Sequence, residues 1–189
     1  MSKPLIELCS GAFFDPEGDL DDITGISIED LATGLGGLCR YGGHTPCHYS
    51  VAEHAYLMSF AIPKKFALEA LHHDSAEALG LNDIHGPLKK VLGEGVKVYE
   101  RRANHRVAVA FGLDPLFAEF PIIKAYDAHM LKTEARAMMR SGGKGKGWYY
   151  PPRTRYLDIT LQYWNRDDAA EAFLIRHEEL MWTRAKKSS

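Results

Sequence analysis

The sequence predicts an all-α protein, a compact bundle of helices, from three observations. Apolar residues recur at the three- and four-residue spacing of amphipathic helices along most of the chain. Residues that begin and end helices stand at suitable positions around these apolar stretches. The chain has 189 residues, of which 46% are hydrophobic, which is enough to bury one core. We expect one domain over residues 1–189, with its core at about 27–140 and a C-terminal helix at about 167–184.

Serine residues mark the beginnings of the first two predicted helices. Ser27 followed by Asp30 resembles a capping box with Asp in place of Glu. Ser50 and Glu53 form an S-x-x-E box, which predicts a second helix running toward Pro63. The stretch between these two helices is rich in glycine and contains a proline, so we expect a loop there.

Prolines mark the beginnings of three later helices. Pro63 suits the beginning of a helix that should continue to Gly80 and that contains the sequence LEALHHDSAEAL. Pro87 begins a short helix. Pro121 begins a longer helix that should reach about Arg140.

The remaining segments complete the predicted order of elements. One apolar stripe predicts a helix from about Val96 to Gly112. The glycine-rich segment 141–147 should be a flexible loop, and segment 154–164 should be extended or irregular. The last helix, at about 167–184, then closes the chain.

Composition excludes several classes of protein. A formal charge of −2 and a pI of about 6.5 argue against a broad basic surface for a nucleic-acid polymer. Cys9, Cys39 and Cys47 are odd in number and form no CxxC pair, which fits a reducing cytoplasm. No run of about 18 apolar residues predicts a membrane span. We therefore expect a cytoplasmic protein with a small-molecule partner and no membrane or nucleic-acid partner.

Two adjacent polar residues, His73 and Asp74, lie within the helix predicted after Pro63. On a regular helix their side chains would point about 100° apart, so both cannot face a dry core, but they could flank one ion. Imidazole nitrogen and carboxylate oxygen suit Zn²⁺, Mn²⁺, Co²⁺ or Fe²⁺, with further ligands needed. His54 lies one helix upstream and Asp127 on a helix downstream. Four such ligands would leave a coordination position open for water and substrate, which indicates a hydrolytic site.

The order His54, His73, Asp74 and Asp127 on consecutive predicted helices resembles the metal-binding residues of the HD-domain metal-dependent phosphohydrolases. The likeness spans roughly residues 11–140. It is strongest to the small nucleotide-hydrolysing branch, with its bacterial 5′-deoxynucleotidases and phage deoxynucleoside triphosphate triphosphohydrolases. The segments that carry it are SVAEH at 50–54, HDSAE at 73–77, PLK at 87–89 and IKAYD at 123–127.

This resemblance implies a metal-dependent phosphohydrolase acting on deoxynucleotides. The stretch ISIEDLATGLGGLCRYGGHT at 26–45 is also similar to the N-terminal part of the phage enzymes. This likeness favours a deoxynucleoside triphosphate triphosphohydrolase that releases nucleoside and triphosphate, with dATP as the favoured substrate. A 5′-deoxynucleotidase acting on monophosphates is the alternative, and a non-catalytic nucleotide sensor or interaction module is an alternative of another class. The resemblance also implies a divalent transition metal (Zn, Co or Mn, with Mg as a possible second ion) and a homo-oligomer.

The resemblance assigns catalytic roles to Glu77, which would manage protons, and to Asp83, which would orient or assist it. The substrate-binding residues that it implies are Arg40, Tyr41, Pro87, Lys89 and Lys124. Plain structural alternatives stay open: Glu77 and the two lysines could be solvated surface charges, and Tyr41 could anchor the core.

Three further histidines have possible roles near a metal. We assign His72 to packing or to a hydrogen bond behind the metal ligands. His85 and His105 could complete a second metal site, as in the di-iron branch of HD proteins, but surface or turn positions are favoured for both.

Overall fold

The computed structural model describes residues 3–188, with side chains described through residue 186, and it is all-helical apart from one small hairpin. The fold class expected from the sequence is confirmed. Two short antiparallel strands, which the sequence pattern did not reveal, place Ile6 opposite Phe14. The elements are β1 (Ile6–Glu7), β2 (Phe13–Phe14), α1 (Ile28–Gly37), α2 (Val51–Ala61), α3 (Ala67–His72), α4 (Gly86–Leu92), α5 (Glu94–Phe111), α6 (Pro121–Met138) and α7 (Arg166–Ser188).

The two predicted serine caps are confirmed. The Oγ of Ser27 accepts a hydrogen bond from the amide of Asp30 at 3.0 Å, and α1 follows directly. The Oγ of Ser50 accepts from the amide of Glu53 at 3.0 Å at the beginning of α2. The Glu53 carboxylate does not close the box, because it accepts three backbone amides of residues 162–164 at 2.6 to 3.0 Å. One glutamate thus fastens the segment before α7 to the beginning of α2.

The helix expected from Pro63 to Gly80 is not continuous, so this prediction was wrong. The chain leaves the α-helix after α3, and Ser75–Leu79 forms a 3₁₀ helix instead. In a continuous helix the carbonyl of Ala70 would accept from the amide of Asp74. Here the Nδ1 of His73 donates to that carbonyl at 2.8 Å, and Asp74 adopts φ −107° and ψ 12°. The two polar residues therefore stand at a break between helices.

Helix α7 packs along α1 and also contacts α2 and α3. Two glycines of α1 allow close approach to neighbouring elements. A Cβ on Gly36 would lie 2.6 Å from the carbonyl oxygen of Arg166, and a Cβ on Gly34 would lie 2.9 Å from the Cβ of Ala78. Phe173 of α7 is fully buried in the resulting core. Helix α7 therefore covers one side of the group formed by α1, α2 and α3.

Residues 151–165, between α6 and α7, form no α-helix or strand, which confirms the extended or irregular segment expected there. None of the described helices is both long enough and apolar enough to span a membrane.

Candidate metal centre

Three parts of the bundle each bring a potential metal ligand to one point. The Nε2 of His54 on α2 lies 3.3 Å from the Nε2 of His73 and 3.5 Å from the Oδ1 of Asp127 on α6. The Oδ2 of Asp74 lies 3.2 Å from the Nε2 of His73. Ligands about 2.1 Å from one ion would be roughly 3.0 to 3.5 Å apart. His54, His73 and Asp74 therefore form a group that could hold a metal ion, and Asp127 lies within 3.9 Å of both imidazoles.

The hydrogen bonds of the two imidazoles test whether this group fits a cation. The Nδ1 of His54 lies 2.5 Å from the Oε1 of Glu134, and the Nδ1 of His73 lies 2.8 Å from the carbonyl oxygen of Ala70. Both partners are acceptors, so each Nδ1 carries the proton and each Nε2 presents a lone pair. Two neutral imidazoles whose Nε2 atoms are 3.3 Å apart repel each other unless a proton or a metal ion lies between them. The donor set therefore fits a metal ion.

Glu134 is a buried residue of this centre that sequence reasoning missed. Besides His54, its Oε1 accepts a hydrogen bond from the hydroxyl of Tyr49 at 2.8 Å. Its Oε2 accepts from the hydroxyl of Tyr41 at 3.1 Å and lies 3.2 Å from the Nε of Arg40. Burial raises the pKa of Glu134, but Arg40 and His54 outweigh that effect and hold the pKa at about 2. The carboxylate is therefore charged and orients the His54 ring.

A sequence signal for Glu134 existed. Glu134 follows Asp127 by seven residues on α6, which is two helical turns and places both on the same face. An acidic residue at that spacing from a proposed ligand is a candidate for the carboxylate that supports a metal-binding histidine.

Arg40, a predicted phosphate-binding residue, is buried against the carboxylates of the centre. Its Nη1 lies 3.5 Å from the Oδ2 of Asp74, and its Nε approaches Glu134 without the alignment of a hydrogen bond. Burial lowers the pKa of Arg40, but the nearby carboxylates, Glu134 first, outweigh burial and raise it. The guanidinium thus neutralises part of the acidic charge, and its predicted contact with phosphate stays a prediction.

A cavity of about 530 Å³ borders the metal centre. Within it, the side chain of Asp127 is 41% exposed, whereas the side chain of His54 is fully buried. An ion held here would thus be approached from the carboxylate side. The sequence-predicted residues in the cavity lining are Arg40, Tyr41, Asp74, Glu77, Asp83, Pro87, Lys89 and Asp127. Lys124 is not among them, because its ammonium pairs with Glu119 at 3.3 Å on an exposed part of α6.

Glu77 is buried in the cavity wall and is not a solvated surface glutamate. Its Oε1 lies 3.7 Å from the Nζ of Lys89, and its Oε2 has no hydrogen-bond partner in the described part of the chain. Burial raises the pKa of Glu77 well above its ordinary value, and the negative charges of Asp74 and Asp83 add to this effect. The carboxyl group therefore favours its protonated form.

Asp83 and Lys89 position other parts of the cavity wall. The Oδ2 of Asp83 accepts the backbone amide of Tyr41 at 2.7 Å and so holds that residue at φ +57°, a left-handed conformation that non-glycine residues adopt uncommonly. The Nζ of Lys89 donates to the Oε1 of Glu100 at 2.9 Å. Burial lowers the pKa of Lys89, but Glu100 and Glu77 outweigh it and raise the pKa to about 12. Lys89 is therefore a permanent positive charge in the cavity.

The other histidines lie outside the metal centre. His72 is buried beside it, with its Nε2 2.8 Å from the Nδ1 of His177 and its Nδ1 3.0 Å from the Oγ of Ser75. His85 is exposed and lines the cavity. His105 lines a separate, smaller cavity of about 200 Å³, which contains none of the predicted site residues.

Comparison with known proteins identifies relatives. No protein-family model matches the chain. The chain is 38% identical over 122 residues to the uncharacterized protein RCAP_rcc00048 of Rhodobacter capsulatus, a match that covers 58% of this chain and 61% of that protein. It is 37% identical over 139 residues to the uncharacterized protein YfdR of Escherichia coli (strain K12), which covers 74% of this chain and 72% of YfdR. The chain therefore belongs to the same family as YfdR.

Proposed function

We propose that the protein is a metal-dependent phosphohydrolase of the HD-domain type that acts on deoxynucleotides. The observation that carries this proposal is the pair of imidazole Nε2 atoms of His54 and His73, which lie 3.3 Å apart and could both bind one metal ion. Two carboxylates complete the group, and a cavity of suitable size for a small-molecule substrate borders it.

His54, His73, Asp74 and Asp127 would hold a divalent transition metal such as Zn²⁺, Co²⁺ or Mn²⁺, with Mg²⁺ as a candidate second ion. Mixed nitrogen and oxygen ligands suit these transition metals. When bound, such an ion lowers the pKa of water and neutralises negative charge on a phosphate. The Glu134 carboxylate would increase the basicity of His54 through its hydrogen bond to Nδ1.

Three side chains around the cavity would have separate roles in proton transfer, phosphate binding and positioning. Glu77 would carry the proton, because its buried Oε2 lacks a partner among residues 3–186 and its pKa is raised. Lys89 would attract the phosphate chain through a charge that persists at neutral pH. Asp83 would keep Tyr41 in place through the backbone amide. These roles are those expected of acid–base and electrostatic catalysis of phosphate-ester hydrolysis.

A deoxynucleoside triphosphate, with dATP as the best guess, is the proposed substrate, and its products are nucleoside and triphosphate. This choice rests on the likeness of the N-terminal half to phage enzymes. A deoxynucleoside monophosphate is the second candidate, since the same centre could hydrolyse its single phosphate ester.

The test is to incubate protein loaded with Zn²⁺, Co²⁺ or Mn²⁺ with each nucleoside and deoxynucleoside mono- and triphosphate and to separate the products by chromatography. Release of nucleoside with triphosphate supports the favoured reaction, and release of nucleoside with phosphate supports the monophosphatase. Tight nucleotide binding without any product would contradict the enzyme and favour a nucleotide sensor. The Asp74→Asn variant provides the control for contaminating phosphatases, because it lacks one proposed ligand.

A further inference from the structure

An aromatic wall of the cavity comes from the segment after α6, which contains none of the sequence motifs that carry the family resemblance. Gly147, Trp148 and Tyr149 line the same cavity as the carboxylates of the metal centre. Trp148 is half-buried, and Tyr149 is 78% exposed although it is a large aromatic residue. Tyr41 also lines the cavity, and its ring centroid lies 6.3 Å from that of Trp148.

The indole of Trp148 is held in place by contacts outside the metal centre. Its ring is stacked on that of Tyr150, with centroids 6.2 Å apart and planes inclined by 16°. The hydroxyl of Tyr150 in turn donates to the carbonyl of Gly143 at 3.0 Å. Gly143 has φ +69°, and a Cβ there would lie 2.5 Å from the Tyr150 hydroxyl and 2.8 Å from the Cβ of Ala135 on α6. The glycine-rich loop therefore packs against the Tyr150 hydroxyl, and the Tyr150 ring in turn stacks on Trp148.

The two sets of cavity residues have different chemistry. The carboxylates suit a metal ion and Lys89 suits a phosphate, whereas Trp148 and Tyr149 are aromatic residues of the lining. Aromatic rings stack on nucleobases, and they discriminate little between bases because every base has a π-face. A ligand that matches both sets carries a phosphate and a flat ring.

We propose that Trp148 stacks on the base of the bound nucleotide, with Tyr149 beside it, and that this loop supplies affinity for the base and little selection among bases. This inference rests on the proposed function for the identity of the ligand. Trp148 is then a substrate-binding residue, and Tyr150 is a positioning residue that acts through it.

The experiment measures binding by calorimetry to the Zn²⁺-loaded Glu77→Gln protein, in which we expect turnover to be slow. The probes are dAMP and 2-deoxyribose 5-phosphate, which differ only in the base, and dATP as a second nucleotide. We expect Trp148→Ala to weaken binding of dAMP and dATP about tenfold or more. Binding of 2-deoxyribose 5-phosphate and the metal content should stay unchanged, and Trp148→Phe should restore most of the lost affinity.

Trp182→Ala is the matched control, because Trp182 is 62% exposed on α7 and contacts Lys186 rather than the cavity. It should bind all three probes like the parent protein. Equal losses of affinity for dAMP and 2-deoxyribose 5-phosphate in Trp148→Ala would overturn the inference, because the loop would then only support the shape of the cavity. Unchanged affinity for all three probes would also overturn it. If the wild type hydrolyses nucleotides but Trp148→Ala binds dAMP as tightly as the parent protein, the inference about Trp148 fails and the proposed function stands. If Trp148→Ala loses affinity only for the probes that carry a base, but the wild type hydrolyses no nucleotide, the inference stands and the proposed enzymatic activity fails. If neither nucleotide binds the parent protein, both proposals fail.

Discussion

The Nδ1 of His54 and the Oε1 of Glu134 lie 2.5 Å apart, and both side chains are fully buried. This contact joins α2 to α6 and decides which nitrogen of the imidazole carries the proton. Because Nδ1 donates to the carboxylate, the lone pair of Nε2 faces His73 and Asp127. A carboxylate behind a histidine in this way both orients a metal ligand and makes it a better donor.

Glu134→Gln should weaken metal binding about 10- to 100-fold, the usual effect of losing such a supporting carboxylate. The amide preserves the shape of the side chain but removes the negative charge that holds the His54 proton and balances Arg40. The affinity for Zn²⁺ can be measured by competition with a chelator of known strength.

Glu53→Gln is the control for this variant. Glu53 is also a buried glutamate, and it immediately precedes His54 on α2, but it accepts backbone amides of residues 162–164. Its loss should lower thermal stability and leave the Zn²⁺ affinity unchanged. Equal Zn²⁺ affinities of the Glu134→Gln and wild-type proteins would refute the supporting role of Glu134.

The metal-free protein should lose stability in acid because of Glu134. Its pKa is about 2 in the folded state, below the ordinary value of 4.5, so its ionised form stabilises the fold. That contribution is fully present above about pH 5 and is lost as the pH falls through 4.5 toward 2, with a size on the order of 3 kcal/mol. Urea unfolding between pH 3 and 6 tests this. The free energy of unfolding should fall less steeply with acid in Glu134→Gln than in the wild type, and parallel curves would contradict the prediction.

The sequence predicted the four proposed metal ligands but not Glu134, the carboxylate that contacts His54. His54, His73, Asp74 and Asp127 could be grouped because two of them are adjacent and the others lie on helices that begin at Ser50 and Pro121. Their convergence also depends on the break at Asp74, where the Nδ1 of His73 donates to the Ala70 carbonyl. The spacing of apolar residues does not show that the His73 side chain, and not the Asp74 amide, donates to the Ala70 carbonyl.

The sequence also predicted the residues that line the cavity only in part. Lys124 belongs to the sequence motif, but its ammonium pairs with Glu119 outside the cavity. Residues three positions apart on a helix are neighbours, but this spacing does not require that Lys124 enters the same cavity as Asp127. Trp148 and Tyr149 lie in a segment without periodicity, and only the tertiary contacts of Tyr150 bring them to the cavity.

Asp74→Asn and Asp83→Asn should separate metal binding from shaping of the cavity. Both residues line the cavity, but only Asp74 has an oxygen 3.2 Å from an imidazole of the centre, whereas Asp83 holds the Tyr41 amide. We expect Asp74→Asn to emerge from gel filtration with little bound metal and without turnover. Asp83→Asn should retain its metal and show a raised KM. Elemental analysis of the two purified proteins decides this, and full metal content in an active Asp74→Asn protein would show that the ligand assignment is wrong.

Glu77→Gln should keep the metal but lower kcat about 10²- to 10⁴-fold, the range expected when a proton carrier is removed. Glutamine has the same size as the protonated acid, so the buried Oε2 position is filled without a group that can exchange a proton. Product chromatography with the best nucleotide, together with metal analysis, provides the measurement. Glu94→Gln, at an exposed glutamate of α5 that pairs with Arg101, is the control and should retain wild-type kcat.

The same variant should be more stable than the wild type at alkaline pH when both are metal-free. Because the folded-state pKa of Glu77 is raised, its stabilising contribution is present below the ordinary value of 4.5 and is lost as the pH rises through the folded-state pKa. Above that pH the wild type must bury a carboxylate charge near Asp74 and Asp83, whereas the glutamine variant does not. Thermal unfolding from pH 6 to 9 should show a gap in Tm that widens with pH. A constant gap would mean that Glu77 is ionised throughout this range and is not the proton donor proposed here.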